Sequence, residues 1–283
     1  MARTDDGTSK TAVSVVIATW NSARTLKECL ESIARQTTPP FEVIVVDNHS
    51  TDGTEQLAEE SGAEVLRVRG SRSYARNFGV RSSSGTHILF VDSDQLLQRD
   101  VVEECVRSST TADVVVVPEL FTGWTYWGRC SANWKNHVVK VEGLGGGIPR
   151  FYERRLLADQ KPFREEIAIW EDYDLYQRIR RRGIRAVWCR SLIQHIEPSS
   201  LGEMARKEFR YGVSIRNVVA GGVENLRPPL VPLTAKTIWA VIVGPSRWAL
   251  TAGTLLLVSL KAMARVAGYF FASMSLRQKL SGG

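Results

Sequence analysis

The chain is poor in cysteine: Cys29, Cys105, Cys130 and Cys189 are spread through 283 residues, and no two form a CxxC pair. That spacing argues against a zinc site and a disulfide framework, so all four are expected as reduced core thiols. No GxGxxG follows the first apolar run, which removes the phosphate-binding turn of a dinucleotide fold and disfavours a hydride-transfer enzyme. The glycine-rich, basic phosphate loop of a nucleotidyltransferase is missing from the same place, where the residues are Thr19, Trp20, Asn21 and Ser22. There is no internal repeat. Residues 1–11 are polar and lack the apolar core of a signal peptide, so they read as a flexible tail and the amino-terminal part is expected to stay in the cytosol. Acidic residues do not balance basic ones, and the net charge is +7. Such an excess suits phosphorylated ligands or an anionic membrane surface as well as nucleic acid. The basic residues are dispersed or flank the apolar tail instead of clustering with aromatics, so no nucleic-acid partner is expected.

The first half alternates short β-branched runs with helical stretches, the pattern of parallel strands joined by crossover helices. Strands are expected at residues 14–18, 41–46, 64–68, 88–91 and 114–117, with a further one at 184–188. Leu26, Cys29, Leu30 and Ile33 fall at helical spacing, and helices are also expected near 74–81, 100–108 and 169–181. The fold class is therefore α/β: an open, mainly parallel sheet flanked by helices. In such sheets ligands sit at the carboxyl ends of the strands, which places residues 19–21, 47–54 and 92–94 on one rim. Residues 121–150 change to Trp, Gly and Asn with little periodicity and read as a functional loop region. Trp124, Trp127 and Trp134 there offer aromatic faces for a ligand, or simply packing. Gly145, Gly146 and Gly147 would let the backbone approach a ligand closely.

Two carboxylates, Asp92 and Asp94, end the strand at 88–91 and converge once the chain turns. Hard oxygen donors of this kind suit Mg2+ or Mn2+, which can bridge a diphosphate. Asp47 ends the second strand, where an acidic side chain can accept a hydrogen bond from a base or ribose, or cap the following turn.

Four segments in order, VSVVIATWNSARTLKECLESI, VIVVDNHSTDGT, SYARNFGVRSSSGTHILFVDSD and WEDYDLYQRI, resemble the family 2 glycosyltransferases of GT-A fold, with the likeness covering most of residues 13–220. The resemblance implies an inverting, metal-dependent transfer of a sugar from a nucleotide-sugar donor, a UDP- or GDP-sugar, to an acceptor hydroxyl. It implies a nucleoside site at Thr19, Asn21 and Asp47, a metal motif at Asp92 and Asp94, and a catalytic base at Asp172, with Glu171 as its alternative. Arg76 and Asn77 would contribute to the donor pocket, the glycine run 145–147 would lie beside donor sugar and acceptor, and His195 would stand near the metal or leaving phosphate. No QxxRW follows the Glu171–Asp172 pair, which favours single transfer over processive synthesis. The metal motif is DSDQ and not DADLQ, which weighs against a polyprenyl-phosphate sugar synthase while keeping it as an alternative. A catalytically inactive sugar-nucleotide-binding module is the other alternative, but it would be expected to have lost Asp92, Asp94 or Asp172.

Residues 12–220 are thus expected as the catalytic domain, and residues 221–283 as a linker and an apolar helical segment. No stretch of the tail reaches the roughly 20 apolar residues of a spanning helix without a charge. A span over residues 238–260 would carry Arg247 and a kink at Pro245. Arg247, Lys261 and Arg265 fall in a narrow arc at about 100° per residue. That basic stripe is expected to lie on an anionic membrane surface, at the cytoplasmic face, near a lipid-linked or nascent glycan acceptor.

Overall fold

The computed structural model describes residues 11–141, 148–159, 161–167, 169–220 and 248–281. Its frame is a seven-stranded sheet of order β3-β2-β1-β4-β8-β6-β9, made of β1 (Val13–Thr19), β2 (Glu42–Asp47), β3 (Glu64–Arg67), β4 (His87–Asp92), β6 (Val114–Val116), β8 (Phe151–Glu153) and β9 (Ala186–Trp188). β1, β2, β3 and β4 run parallel, and β8 enters antiparallel to both β4 and β6. Because β1 is covered on both faces it reads as an apolar run interrupted only by the buried Ser14 before it ends at Thr19. Val13, Val15 and Ile17 enter one core with Leu26, Cys29, Leu30 and Ile33 of α1 (Ala23–Ala34), while Val16 faces Ile88 and Phe90 on the other side.

Register does the work of gathering a site. Thr19 stands opposite Asp47 across β1 and β2, and Ala18 opposite Asp92 across β1 and β4, so three strands end level with one another. Helix α2 (Thr54–Glu60) follows β2, and α3 (Arg72–Ser82) lies over β1 and β2. Its approach requires Gly79, since a Cβ there would overlap a Val16 methyl. Two more helices, α4 (Val101–Ser109) and α6 (Glu171–Arg180), complete the layers. All four cysteines are buried thiols outside any disulfide.

A second, three-stranded sheet of order β5-β10-β7 sits beyond the metal motif: β5 (Gln95–Leu97), β7 (Glu119–Thr122) and β10 (Ile193–Ile196). Its strands are short and of mixed direction, so they left no periodic trace in the sequence.

Two expectations are corrected here. The region read as loop, residues 121–150, contains helix α5 (Tyr126–Val141). Its buried positions Cys130, Ser131 and Val138 do have helical spacing, but they are few and mostly small, and the tryptophans around them resembled loop composition. Trp127 packs on the cluster of Cys130, Met204 and Leu257. The second correction concerns the basic stripe. Helix α8 (Trp248–Ser281) packs along α7 (Leu201–Ala220) and against α5. Lys261 Nζ donates to Ser131 Oγ at 2.9 Å and pairs with Glu208 at 3.6 Å, and Arg265 Nε pairs with the same Glu208 at 2.9 Å. Both point inward because Glu208, buried on α7, needs opposite charge. Arg247, like Gly145, Gly146 and Gly147, lies outside the described residues.

Glu104 of α4 ties the chain after β9. Its Oε2 accepts from Cys189 Sγ at 3.0 Å and from the backbone N–H groups of Arg190 and Ser191 at 2.6 and 2.9 Å. Cys189 and these amides hold the carboxyl at about 2, well below its ordinary value. A carboxyl depressed on folding stabilises above its unfolded value and loses that contribution as pH falls through its folded value. Glu104→Gln is therefore expected to lower the melting temperature at neutral pH, with the difference from wild type shrinking between about pH 4.5 and pH 2. Melts followed by circular dichroism across that range check it; a difference independent of pH would contradict the assignment.

Candidate active site

At the nucleoside end of the rim, Asp47 is fully buried. Its Oδ1 accepts from Thr19 Oγ1 at 2.9 Å and Ser50 Oγ at 2.6 Å, and its Oδ2 from Ser50 N at 2.8 Å. This carboxylate orients Thr19 and Ser50 and accepts three hydrogen bonds from the chain, of the roughly four a carboxylate can take. Asn21 accepts from Thr51 N at 2.9 Å through Oδ1, while its own N–H donates to Ser50 Oγ at 2.7 Å. Among the described residues three non-glycines adopt left-handed backbone, Asn21 (φ 48°), His49 (φ 53°) and Trp170 (φ 61°). The first two follow β1 and β2, and the third precedes Glu171. Such backbone is uncommon outside glycine and concentrates at functional rims.

From there a line of alternating charges crosses the site. Arg72 NH1 lies 3.5 Å and Arg76 NH1 2.9 Å from Glu171 Oε1. Arg76 NH2 reaches Asp92 Oδ1 at 2.7 Å, and Arg150 NH1 holds Asp92 Oδ2 at 3.0 Å. Arg150 NH2 binds Glu119 Oε1 at 2.5 Å, Glu119 Oε2 accepts from His195 Nδ1 at 3.0 Å, and His195 Nε2 meets Asp94 Oδ2 at 3.3 Å. Burial opposes ionisation of Asp92, yet Arg150 and then Arg76 hold it well below the ordinary carboxylate range. Burial likewise opposes charge on His195, but Asp94 and Glu119 on its two ring nitrogens raise it to about 10.

These contacts separate residues that are already engaged from those that remain available. Glu171 is 2% exposed and its Oε1 is held by two arginines. Asp172, its neighbour on the first turn of α6, is half-buried; its Oδ1 accepts from the Tyr173 N–H at 2.8 Å, and it lies close enough to act electrostatically on Arg150. The guanidinium of Arg76, placed in the donor pocket on sequence grounds, is 3% exposed and serves Asp92 and Glu171. Asn77 is corrected outright. It is fully buried, its Nδ2 donating to Phe163 O at 2.8 Å and its Oδ1 accepting from Phe163 N at 2.9 Å, so it pins the chain ahead of α6.

For a divalent cation the donor set is open. Among the described residues no three His, Cys, Asp or Glu side chains converge on a metal position. Asp92 has both oxygens on arginines, which leaves Asp94 as a direct carboxylate ligand and His195, 3.3 Å from it, as a ligand only when its imidazole is neutral. The remaining positions of such a cation would be filled by oxygens of a bound phosphate, which Mg2+ commonly takes alongside one or two carboxylates.

Sequence reasoning missed Glu119, Arg150 and Lys207. Glu119 had the same signal as Asp92, an acid just beyond an apolar run, whereas Arg150 was hidden at the edge of an apparent loop. Lys207 on α7 acts electrostatically with Tyr211, Asp94 and Glu197, yet among the described residues it has no hydrogen-bond or ion-pair partner in contact. Helical spacing alone does not separate it from a solvated lysine.

A mainly parallel α/β sheet whose strand ends gather an acid pair, a histidine and a free carboxylate defines a GT-A glycosyltransferase. The chain belongs to glycosyl transferase family 2, whose model matches residues 14–163. It is 28% identical over 224 residues to glycosyltransferase AglE of Haloferax volcanii, covering 71% of each chain. It is 35% identical over 100 residues to the poly(ribitol-phosphate) beta-N-acetylglucosaminyltransferase TarS of Staphylococcus aureus, but spans only 18% of that protein. The fold matches TarS 1–349 in complex with UDP-GlcNAc at a TM-score of 0.52 and 18% identity, over 95% of this chain and 92% of that one. It matches the mannosyltransferase PcManGT from Pyrobaculum calidifontis, in complex with GDP-Man and Mn2+, at 0.56 and 20%, over 95% and 87%.

Asn77→Ala is expected to strand the Phe163 N–H in the core, at a cost of about 1–3 kcal/mol. Urea denaturation measures it, and a loss below about 0.5 kcal/mol, the usual range of surface substitutions, would contradict the pinning role.

Proposed function

We propose that the protein is an inverting, divalent-cation-dependent glycosyltransferase moving one sugar from a UDP- or GDP-sugar to a hydroxyl of a cell-surface or lipid-linked glycan, at the cytoplasmic face of the membrane. The observation that carries this reading is the division of labour within the Glu171–Asp172 pair: one carboxylate is locked between arginines and the next is left available beside the acid–histidine pair. Asp172 takes the proton from the acceptor hydroxyl as its oxygen attacks the anomeric carbon. The bond from that carbon to the diphosphate oxygen breaks on the opposite face, so an α-linked donor yields a β-linked product. Thr19 and Asn21, shaped by Asp47 and Ser50, form the nucleoside wall. A cation held by Asp94 and His195 would supply charge to the departing diphosphate. Lys207 adds fixed positive charge on the same side. The glycine run 145–147 is assigned to the sugar side on family resemblance. Both UDP-sugar and GDP-sugar donors are represented among the fold neighbours, in TarS and PcManGT respectively, so the nucleotide is left to measurement.

A thermal-shift panel of UDP, GDP and their sugars, with and without Mn2+ or Mg2+, tests the reading. One nucleotide is expected to stabilise wild type in a metal-dependent way, and Asp94→Ala to abolish the metal-dependent part. No shift with any nucleotide would refute it. Asp172→Asn is expected to keep the nucleotide shift and to reduce transfer about 10²–10⁴-fold; full transfer by this variant would remove Asp172 as the base. Lys207→Ala is expected to weaken nucleoside diphosphate binding by about 10- to 100-fold, the range for one charge-assisted contact. Calorimetry should show the bare nucleoside unaffected and Lys207→Arg close to wild type, and equal loss for nucleoside and diphosphate would point to a structural role.

A further inference from the structure

Helix α8 presents an outward strip with no charge. Leu256, Met263, Val266, Phe270, Phe271 and Met274 are each 54–63% exposed, and the other exposed positions between 251 and 274 are Ala252, Ser259 and Ala267. At about 100° per residue these nine fall within an arc of about 140°, and at 1.5 Å per residue the strip runs about 33 Å. Lys261 and Arg265, the charged residues of this stretch, lie on the opposite side and are paired with buried Glu208. The face is thus apolar because its cations are turned inward and neutralised.

We propose that this face inserts shallowly into the acyl boundary of a lipid bilayer, holding the enzyme on the membrane by apolar burial and not by a basic stripe. The inference rests on the membrane placement proposed above and replaces its electrostatic basis. Helix Thr251–Met274 is long and apolar enough to cross a bilayer, but it is bound along its length to α7. A Cβ at Gly212 would overlap the Arg265 carbonyl, and one at Gly268 the Phe209 carbonyl, so the two backbones touch. Helix α7 carries Glu203, Arg206, Lys207, Arg210 and Arg216, and such a pair cannot be immersed as a unit. Only the outer face is able to enter the membrane, as in an interfacial helix. A second copy of the chain is a poorer occupant. Protein interfaces carry roughly one hydrogen bond per 100–200 Å², whereas the polar side chain on this strip, Ser259, already donates to Leu255 O at 3.1 Å. Lipid requires neither register nor polar partners.

Flotation of the full-length chain with neutral phosphatidylcholine vesicles, and with vesicles containing phosphatidylglycerol, tests this at low salt and at about 1 M salt, where surface charge is screened. Binding to both vesicle types, resistant to salt and reduced at least tenfold in the double variant Phe270→Ser, Phe271→Ser, is the expected result. The idea is overturned by binding that needs anionic lipid and vanishes in salt, by no binding, or by a wild-type dimer that the double variant converts to monomer. Circular dichroism melts confirm that the variant folds. The UDP or GDP thermal shift on the same samples scores the donor reading separately, since Phe270 and Phe271 lie outside the active site.

Discussion

The site depends on one carboxylate. Asp92 ends the central strand β4 and is gripped on its two oxygens by Arg76 from α3 and Arg150 from the approach to β8. Those arginines reach on to Glu171 of α6 and Glu119 of β7, so a single aspartate links both sheets and two helices. Buried charges are tolerable only when paired, and removing one partner leaves the other uncompensated at a cost of about 3–5 kcal/mol. The line from Arg72 through Glu171, Arg76, Asp92, Arg150, Glu119 and His195 to Asp94 is therefore held as a unit. Its members fix the height and tilt of the strand ends against which a ligand would sit.

With His195 charged, the four acids of that line balance its four cations. A nucleotide-sugar diphosphate brings negative charge that the line itself cannot absorb. The balance has to come from groups outside it, which is why the position of Lys207 and the open Asp94–His195 pair matter more than the number of arginines nearby. The same accounting explains why Arg76, the arginine that holds Asp92 Oδ1, is a poor diphosphate ligand in this arrangement: its charge is already committed.

The parallel half of the fold was legible because burial on both faces writes long β-branched runs, and because Leu26, Cys29, Leu30 and Ile33 repeat at helical spacing. The rim was legible for the same reason, since level strand ends follow from topology. What each rim residue does was less legible. Asp47 and Asn77 have the identities of ligand-binding residues, but Asp47 is also engaged by Thr19 and Ser50, and the Asn77 amide by Phe163. A sequence shows which groups are capable of bonding a ligand; only the contacts show which have bonds left to make. Helix α5 escaped because its buried stripe, Cys130, Ser131, Ala132 and Val138, is mostly small residues and has a single branched aliphatic to mark a helix. The inward turn of Lys261 and Arg265 escaped because the periodicity of α8 places them on one face without saying which face meets Glu208.

Helix α7 joins these two halves of the structure. It begins a few residues after His195, carries Lys207 near Asp94 on one side, and carries Glu208 against α8 on the other. Arg210 stacks on the exposed ring of Trp20 at 5.8 Å, beside Asn21, and Arg24 of α1 bonds Ser199 Oγ at 2.5 Å just before the helix starts. A helix fixed at so many points is a rigid strut. The neutralisation of Glu208 by Lys261 and Arg265 is then what allows one helix pair to be apolar outside and charged toward the chemistry.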